Sequence, residues 1–244
     1  MSKVLSNHPP DSGKTAASSS RPNQVPRPGW PECIVGLVVL FMVAYVVSSQ
    51  LSRLGLDPVV YGLVFTALSS VAGIAGFAAA VLLRIRSLRP FGVRPTSRLW
   101  LLIGVGVGLV AYVLRGLAAL VWIQITGNTE NIQDTYAQAG SGGILSLVLA
   151  TVFLCLLTPL GEELLFRGVI TNALLRYGAV FGVVSSALIF ALAHGINIVF
   201  PAAMVAGLAT AEIYRRSVSI WTAVVVHVVF NLPTIPVMVL VGTG

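Results

Sequence analysis

Long apolar runs alternate with short polar breaks along this chain. Runs fall at about residues 33–50, 58–83, 99–125, 144–176, 179–196 and 199–214, and a last one begins near Ser219. Most reach the ~20 apolar residues that an α-helix needs to cross the hydrocarbon core of a bilayer. Pro233 and Pro236 interrupt or end the last run, because proline removes a helix donor. The remaining VMVLVGTG either finishes that run or makes a short eighth helix. The pattern predicts an all-α fold: a polytopic membrane helical bundle of about seven to eight transmembrane helices, over residues 31–244. No repeat of fixed period is visible, and the Gly, Ala and Ser residues inside the runs suit close helix packing.

The breaks orient the bundle. RIRSLRPFGVRPTSR carries Arg84, Arg86, Arg89, Arg94 and Arg98 and no acid, so it is expected inside. TGNTENIQDTYAQAGSGG carries Glu130 and Asp134 and no base, so it is expected outside. Arg215 and Arg216 mark the inside again. Residues 1–30 form a polar tail rich in Ser, Pro and Gly, with Lys3, Lys14, Arg21 and Arg27 against Asp11. Such a segment cannot bury enough apolar surface to fold, and its charge keeps it cytoplasmic. It is too long and too polar for a signal-peptide leader.

Composition narrows the class. The chain is 56% hydrophobic and 9% charged, against about 25% charged in soluble domains. A net charge of +7 does not indicate nucleic acid, because the basic residues lie on tails and loops and form no compact basic domain. Cys33 and Cys155 form no CxxC pair and read as small buried hydrophobes. GVGVG at 104–108 sits within an apolar run rather than after a strand, which rules out a nucleotide loop.

Against that background the ionisable residues inside the runs stand out. An ionisable group there costs about 2.5 to 3.5 kcal/mol on insertion scales and usually marks function. The candidates are Arg115, Glu162, Glu163, Arg167, His194, Glu212 and His227; two of the three histidines are among them. Glu163 and Arg167 are four apart and share a helix face. Glu162, about 100° round the helix, is aimed elsewhere. Phe190 and His194 share a face, and so do His227 and Asn231.

Three helices can thus present a carboxylate, an imidazole, and an imidazole with an amide to one cavity. That set suits hydrolysis. Glu162 can act as a general base on water, and His194 can hold that water or shuttle its proton. His227 and Asn231 can donate to the oxyanion of a tetrahedral intermediate. No nucleophile is evident: Ser185 and Ser186 lack the context of a nucleophile elbow.

The ordered set EELLFR (Glu162, Glu163, Arg167), FALAH (Phe190, His194) and HVVFN (His227, Asn231) resembles the CAAX-protease and bacteriocin-processing family of intramembrane endopeptidases, over about residues 144–232. RPFGVRP is similar to a segment often found upstream in such proteins. The resemblance implies Glu162 as the base, His194 as a water-orienting group, and His227 with Asn231 as the oxyanion site. Glu163, Arg167 and Phe190 would support them. The family has been described both as metalloproteases and as metal-free glutamate proteases. The reading favours no bound cofactor or metal; a divalent ion such as zinc would take Glu162, His194 and His227 with an open water position. HExxH is absent.

The partners implied are membrane lipid and a peptide or membrane-protein substrate, not nucleic acid. Arginine outnumbers lysine thirteen to two, which hints at a GC-rich genome and so at a bacterial plasma membrane, with the N-terminus cytoplasmic. Two other classes stay open. A proton-coupled transporter would also use in-membrane Glu and His, though related halves are not visible here. A non-catalytic immunity or peptide-binding protein of the same fold would keep the residues without cutting.

Overall fold

Caps, prolines and glycines set the helix limits in the computed structural model, which describes residues 26–128, 130 and 133–241. The first 25 residues of the expected cytoplasmic tail lie outside the described residues. α1 (Trp30–Leu51) opens on Gly29, whose N–H donates to Glu32 Oε2 at 2.7 Å. α2 (Pro58–Leu83) opens on Asp57, whose carboxylate accepts from the Val59 and Val60 N–H groups, with Pro58 in the first turn. α3 (Arg98–Thr126) is capped by Ser97 and closed by Gly127 in the left-handed region at φ 68°. The short α4 (Asp134–Gly140) follows, then the long helical run α5 (Ile144–Tyr177). Gly178, at φ 114°, turns the chain into α6 (Ala179–Ala193). α7 (Val199–Ser217), α8 (Ile220–Asn231) and α9 (Thr234–Val241) complete the order.

Five of the helices among the described residues are long and apolar enough to cross a membrane: α1, α2, α3, α5, and the stretch Ile220–Leu240 that joins α8 to α9. This is fewer than the seven to eight expected. α6 has 15 residues, and α7 is diluted by Glu212, Tyr214, Arg215 and Arg216. Missing its N–H, Pro233 coincides with the two-residue interruption between α8 and α9, so the final run is one offset span.

α2 lies against α1, α4 and α5, while α3 lies against α7 and α8. The core between them holds Phe77, Phe91, Leu165, Phe166, Ile170 and Phe190. Close approaches use glycine. A Cβ on Gly36 would lie 2.7 Å from a Leu165 methyl, and one on Gly76 only 2.5 Å from the Gly36 carbonyl oxygen.

The arginine-rich connection after α2 is fixed to the bundle. Phe91 is fully buried, edge-on to Phe77 at 5.5 Å. Asn172 donates to the Pro90 carbonyl at 2.7 Å, Ile220 N–H to the Gly92 carbonyl at 3.0 Å, and Ser219 Oγ to the Arg94 carbonyl at 2.7 Å. Gly92, at φ 77°, sits where a side chain would strike Tyr214. On the same side Trp30 Nε1 donates to the Tyr177 hydroxyl, and Arg176 Nη2 to the Pro28 carbonyl, tying the start of α1 to the end of α5. Glu32, fully buried, pairs with Arg84 at 2.9 Å, and that carboxylate holds the Arg84 guanidinium above its usual range.

Candidate active site

The site is built around an irregular stretch of α5. Two π-helical turns, Phe153–Leu157 and Phe166–Thr171, flank the α-helical segment Thr158–Leu165 that carries Glu162 and Glu163. Such turns are rare and concentrate at functional sites. The first has a cause in the sequence. The Thr158 N–H bonds to the Phe153 carbonyl, five residues back. In that register the Leu154 carbonyl would take its proton from residue 159, which is a proline. Asn231 Nδ2, from α8, donates to Leu154 O at 3.2 Å instead. The Cys155 thiol donates to the Asn231 carbonyl, also at 3.2 Å. Asn231 thus pins α8 to the irregular turn of α5.

Glu163 and Arg167 pair as their spacing predicts, Nε to Oε2 at 2.8 Å, and both are fully buried. Oε1 of Glu163, which also accepts from Arg167 Nη2 at 3.4 Å, faces His227, whose Nδ1 lies 2.8 Å away. Arg167 lies over the Phe190 ring at 4.9 Å, and its Nη1 is a buried donor with no acceptor among the described residues.

Glu162 does not point away from this cluster. The His227 ring spans the two neighbouring carboxylates: Nδ1 on Glu163, and Nε2 3.8 Å from Glu162 Oε2. His194, capping the C-terminus of α6, brings its Nε2 to 3.9 Å from Glu162 Oε1. Its Nδ1 lies 2.8 Å from the Phe190 carbonyl. A carbonyl only accepts, so Nδ1 of His194 carries the proton. Nδ1 of His227 faces a carboxylate already paired with a guanidinium, so the same assignment follows from its partner. Both imidazoles therefore turn Nε2 towards Glu162. The gaps of 3.8 and 3.9 Å exceed direct hydrogen bonds. Side-chain exposure is 29% for His194, 7% for Glu162 and 5% for His227, so of the three only His194 is substantially exposed.

Phe190 has more neighbours than its spacing to His194 implies. Its ring is 4.6 Å from that of His194, 5.8 Å from that of His227 and 4.9 Å from that of Phe166. It is an apolar floor beneath both imidazoles and the guanidinium.

Residues 144–233 match the model of the Rce1-like family, described as Type II CAAX prenyl endopeptidase Rce1-like. The match spans just over a third of the chain and holds all three motifs: Glu162, Glu163 and Arg167; Phe190 and His194; His227 and Asn231. It is the segment in which the sequence resembles the CAAX-protease and bacteriocin-processing family. Comparison with curated proteins and with solved structures returns no match.

One contact in the site comes from outside the Rce1-like segment. Ser69 of α2 donates to Glu162 Oε1 at 2.9 Å. Its only signal in the sequence is a pair of hydroxyls, Ser69 and Ser70, within an apolar run. Arg115 meets the last motif at its backbone: it donates to Thr234 Oγ1 at 3.0 Å and to the Phe230 carbonyl at 3.4 Å, and stacks over Tyr112 at 4.4 Å. Glu212 pairs with Arg215 and Arg216. An apolar groove of about 890 Å³ between α3, α6 and α7 is lined by none of the motif residues.

The family's metal-dependent reading requires Glu162, His194 and His227 as ligands. Among the described residues no group of three or more His, Cys, Asp or Glu is arranged to hold a metal ion. The same three side chains can also act on a water without one.

Proposed function

We propose that this protein is an intramembrane endopeptidase of the glutamate type, cutting a peptide bond in a membrane-embedded or membrane-associated segment. One observation carries the reading: a buried carboxylate, Glu162, faces the Nε2 atoms of two imidazoles whose Nδ1 atoms are both engaged elsewhere. The match to a family described as prenyl endopeptidases supports it.

In this mechanism a water gives one hydrogen bond to Glu162 and the other to His194 Nε2, which leaves an oxygen lone pair for the scissile carbonyl. Glu162 takes the proton as the C–O bond forms. His227, when it carries both protons, donates from Nε2 to the developing oxyanion, and Glu163 balances its charge through Nδ1. Collapse of the tetrahedral intermediate breaks the C–N bond, and Glu162 returns the proton to the leaving amine. Asn231, with its amide on Leu154 O, positions α8 rather than the oxyanion. No bound metal is required.

The same reading places α6 and α7 within the membrane as shorter helices beside the five long ones, giving a bundle of seven. The N-terminus and the basic loops are cytoplasmic, and the membrane is a bacterial plasma membrane. The deciding test is cleavage of a library of membrane-segment peptides by purified protein in bilayers, wild type beside Glu162→Gln. Products from wild type and none from the variant are expected. Equal products from both, or none from wild type, overturn the reading.

A further inference from the structure

α2 lies wholly outside the matched segment, yet it touches the centre of the site. Three hydroxyls follow one another along it, and two serve their own helix. Thr66 Oγ1 donates to the Gly62 carbonyl at 2.7 Å and Ser70 Oγ to the Ala67 carbonyl at 2.6 Å. These are the local bonds that serine and threonine ordinarily make within helices. The third, Ser69, leaves its helix and donates to Glu162 Oε1 at 2.9 Å.

The register that allows this bond is fixed on both sides. Residues 66, 69, 70 and 73 share one face of α2. Below Ser69, Thr158 Oγ1 of α5 donates to the Thr66 carbonyl at 3.3 Å. Above it the two backbones touch: a Cβ on Gly73 would lie 2.6 Å from the Gly161 backbone, and one on Gly161 only 2.5 Å from the Ser70 carbonyl oxygen. Gly161 immediately precedes Glu162, and Ser70 immediately follows Ser69. The closest helix contact in this region is therefore one residue from each partner of the hydrogen bond.

We infer that Ser69 is a positioning residue for Glu162, holding its carboxylate so that Oε1 faces His194 Nε2 and Oε2 faces His227 Nε2. The inference rests on the reading of Glu162 as the base. Without the Ser69 hydroxyl the carboxylate is free to turn about its last torsion, and its alignment with a water between the imidazoles is lost. The working site thus includes α2 as well as the three motif helices, and a segment limited to 144–233 is incomplete.

The test compares Ser69→Thr with Ser69→Val in the full chain in bilayers, using a peptide that wild type cuts. The two replacements have the same shape and differ in the hydroxyl. Ser69→Thr recovers kcat to within about threefold, whereas Ser69→Val lowers kcat about 10- to 100-fold at unchanged KM, the range of one hydrogen bond to a charged group. Thermal unfolding of the two variants at the same temperature shows that folding is not the cause; if the valine variant does not fold, Ser69→Ala takes its place. Equal kcat for the threonine and valine variants, or a loss carried by KM, overturns the inference while the base assignment stands. Cleavage by Glu162→Gln at the wild-type rate overturns the base assignment and this inference with it.

Discussion

One carboxylate, Glu163, joins side chains from two helices: its Oε1 lies 2.8 Å from Nδ1 of His227, and its Oε2 lies 2.8 Å from Nε of Arg167. Arg167 and Glu163 are fully buried, so removing one partner strands the other's charge. Arg167→Met is expected to destabilise the protein by about 3 to 5 kcal/mol, read as a lower Tm in detergent. Arg167→Met combined with Glu163→Gln removes both charges and recovers part of that loss. A double variant no more stable than Arg167→Met contradicts the pairing.

Asn231 is expected to act through Leu154. Asn231→Leu removes the donor that satisfies the Leu154 carbonyl and costs about 1 to 3 kcal/mol. Pro159→Ala supplies an N–H that can reach the same carbonyl. The double variant should therefore be more stable than Asn231→Leu alone, measured by chemical or thermal unfolding. Strictly additive losses would show that the two residues do not share this carbonyl.

Gly161→Ala tests the contact between α2 and α5. The added methyl would lie 2.5 Å from the Ser70 carbonyl oxygen, which is backbone and cannot turn aside. Overpacking of this kind costs about 1 to 3 kcal/mol, and here it also separates Ser69 from Glu162. The expected result is a lower Tm together with a loss of kcat. Gly106→Ala, where nothing lies within 4 Å of the new methyl, is the control and should not lower Tm, since alanine suits a helix interior better than glycine.

Chelation tests the proposed metal-free chemistry. Dialysis against EDTA should leave the cleavage rate unchanged, with no stoichiometric zinc found by elemental analysis of active protein. A rate lost to EDTA and restored by zinc would return Glu162, His194 and His227 to the role of ligands.

The apolar runs alone determined the helical class, since about 20 apolar residues in a row have few uses outside a membrane. They also fixed where most helices begin, because Asp57–Pro58, Ser97 and Gly178 are local signals that act through the backbone. The motif residues were legible for a related reason: charge and imidazole inside apolar runs are costly, so their few positions draw attention. The pair Glu163 and Arg167 followed from spacing on a single helix.

Contacts between helices were decided only by the tertiary structure. Spacing on α5 separates Glu162 from Glu163, but the His227 ring, arriving from α8, spans both. Ser69 is an ordinary hydroxyl in an apolar run until the glycine contact at Gly73 and Gly161 brings α2 against Glu162. Asn231 reads as a polar partner one turn from His227, and its amide is drawn to a carbonyl that Pro159 leaves without a donor, 77 residues away in the chain. Periodicity along a chain reports which residues share a face; which faces meet, and at what height, depends on packing between segments distant in sequence.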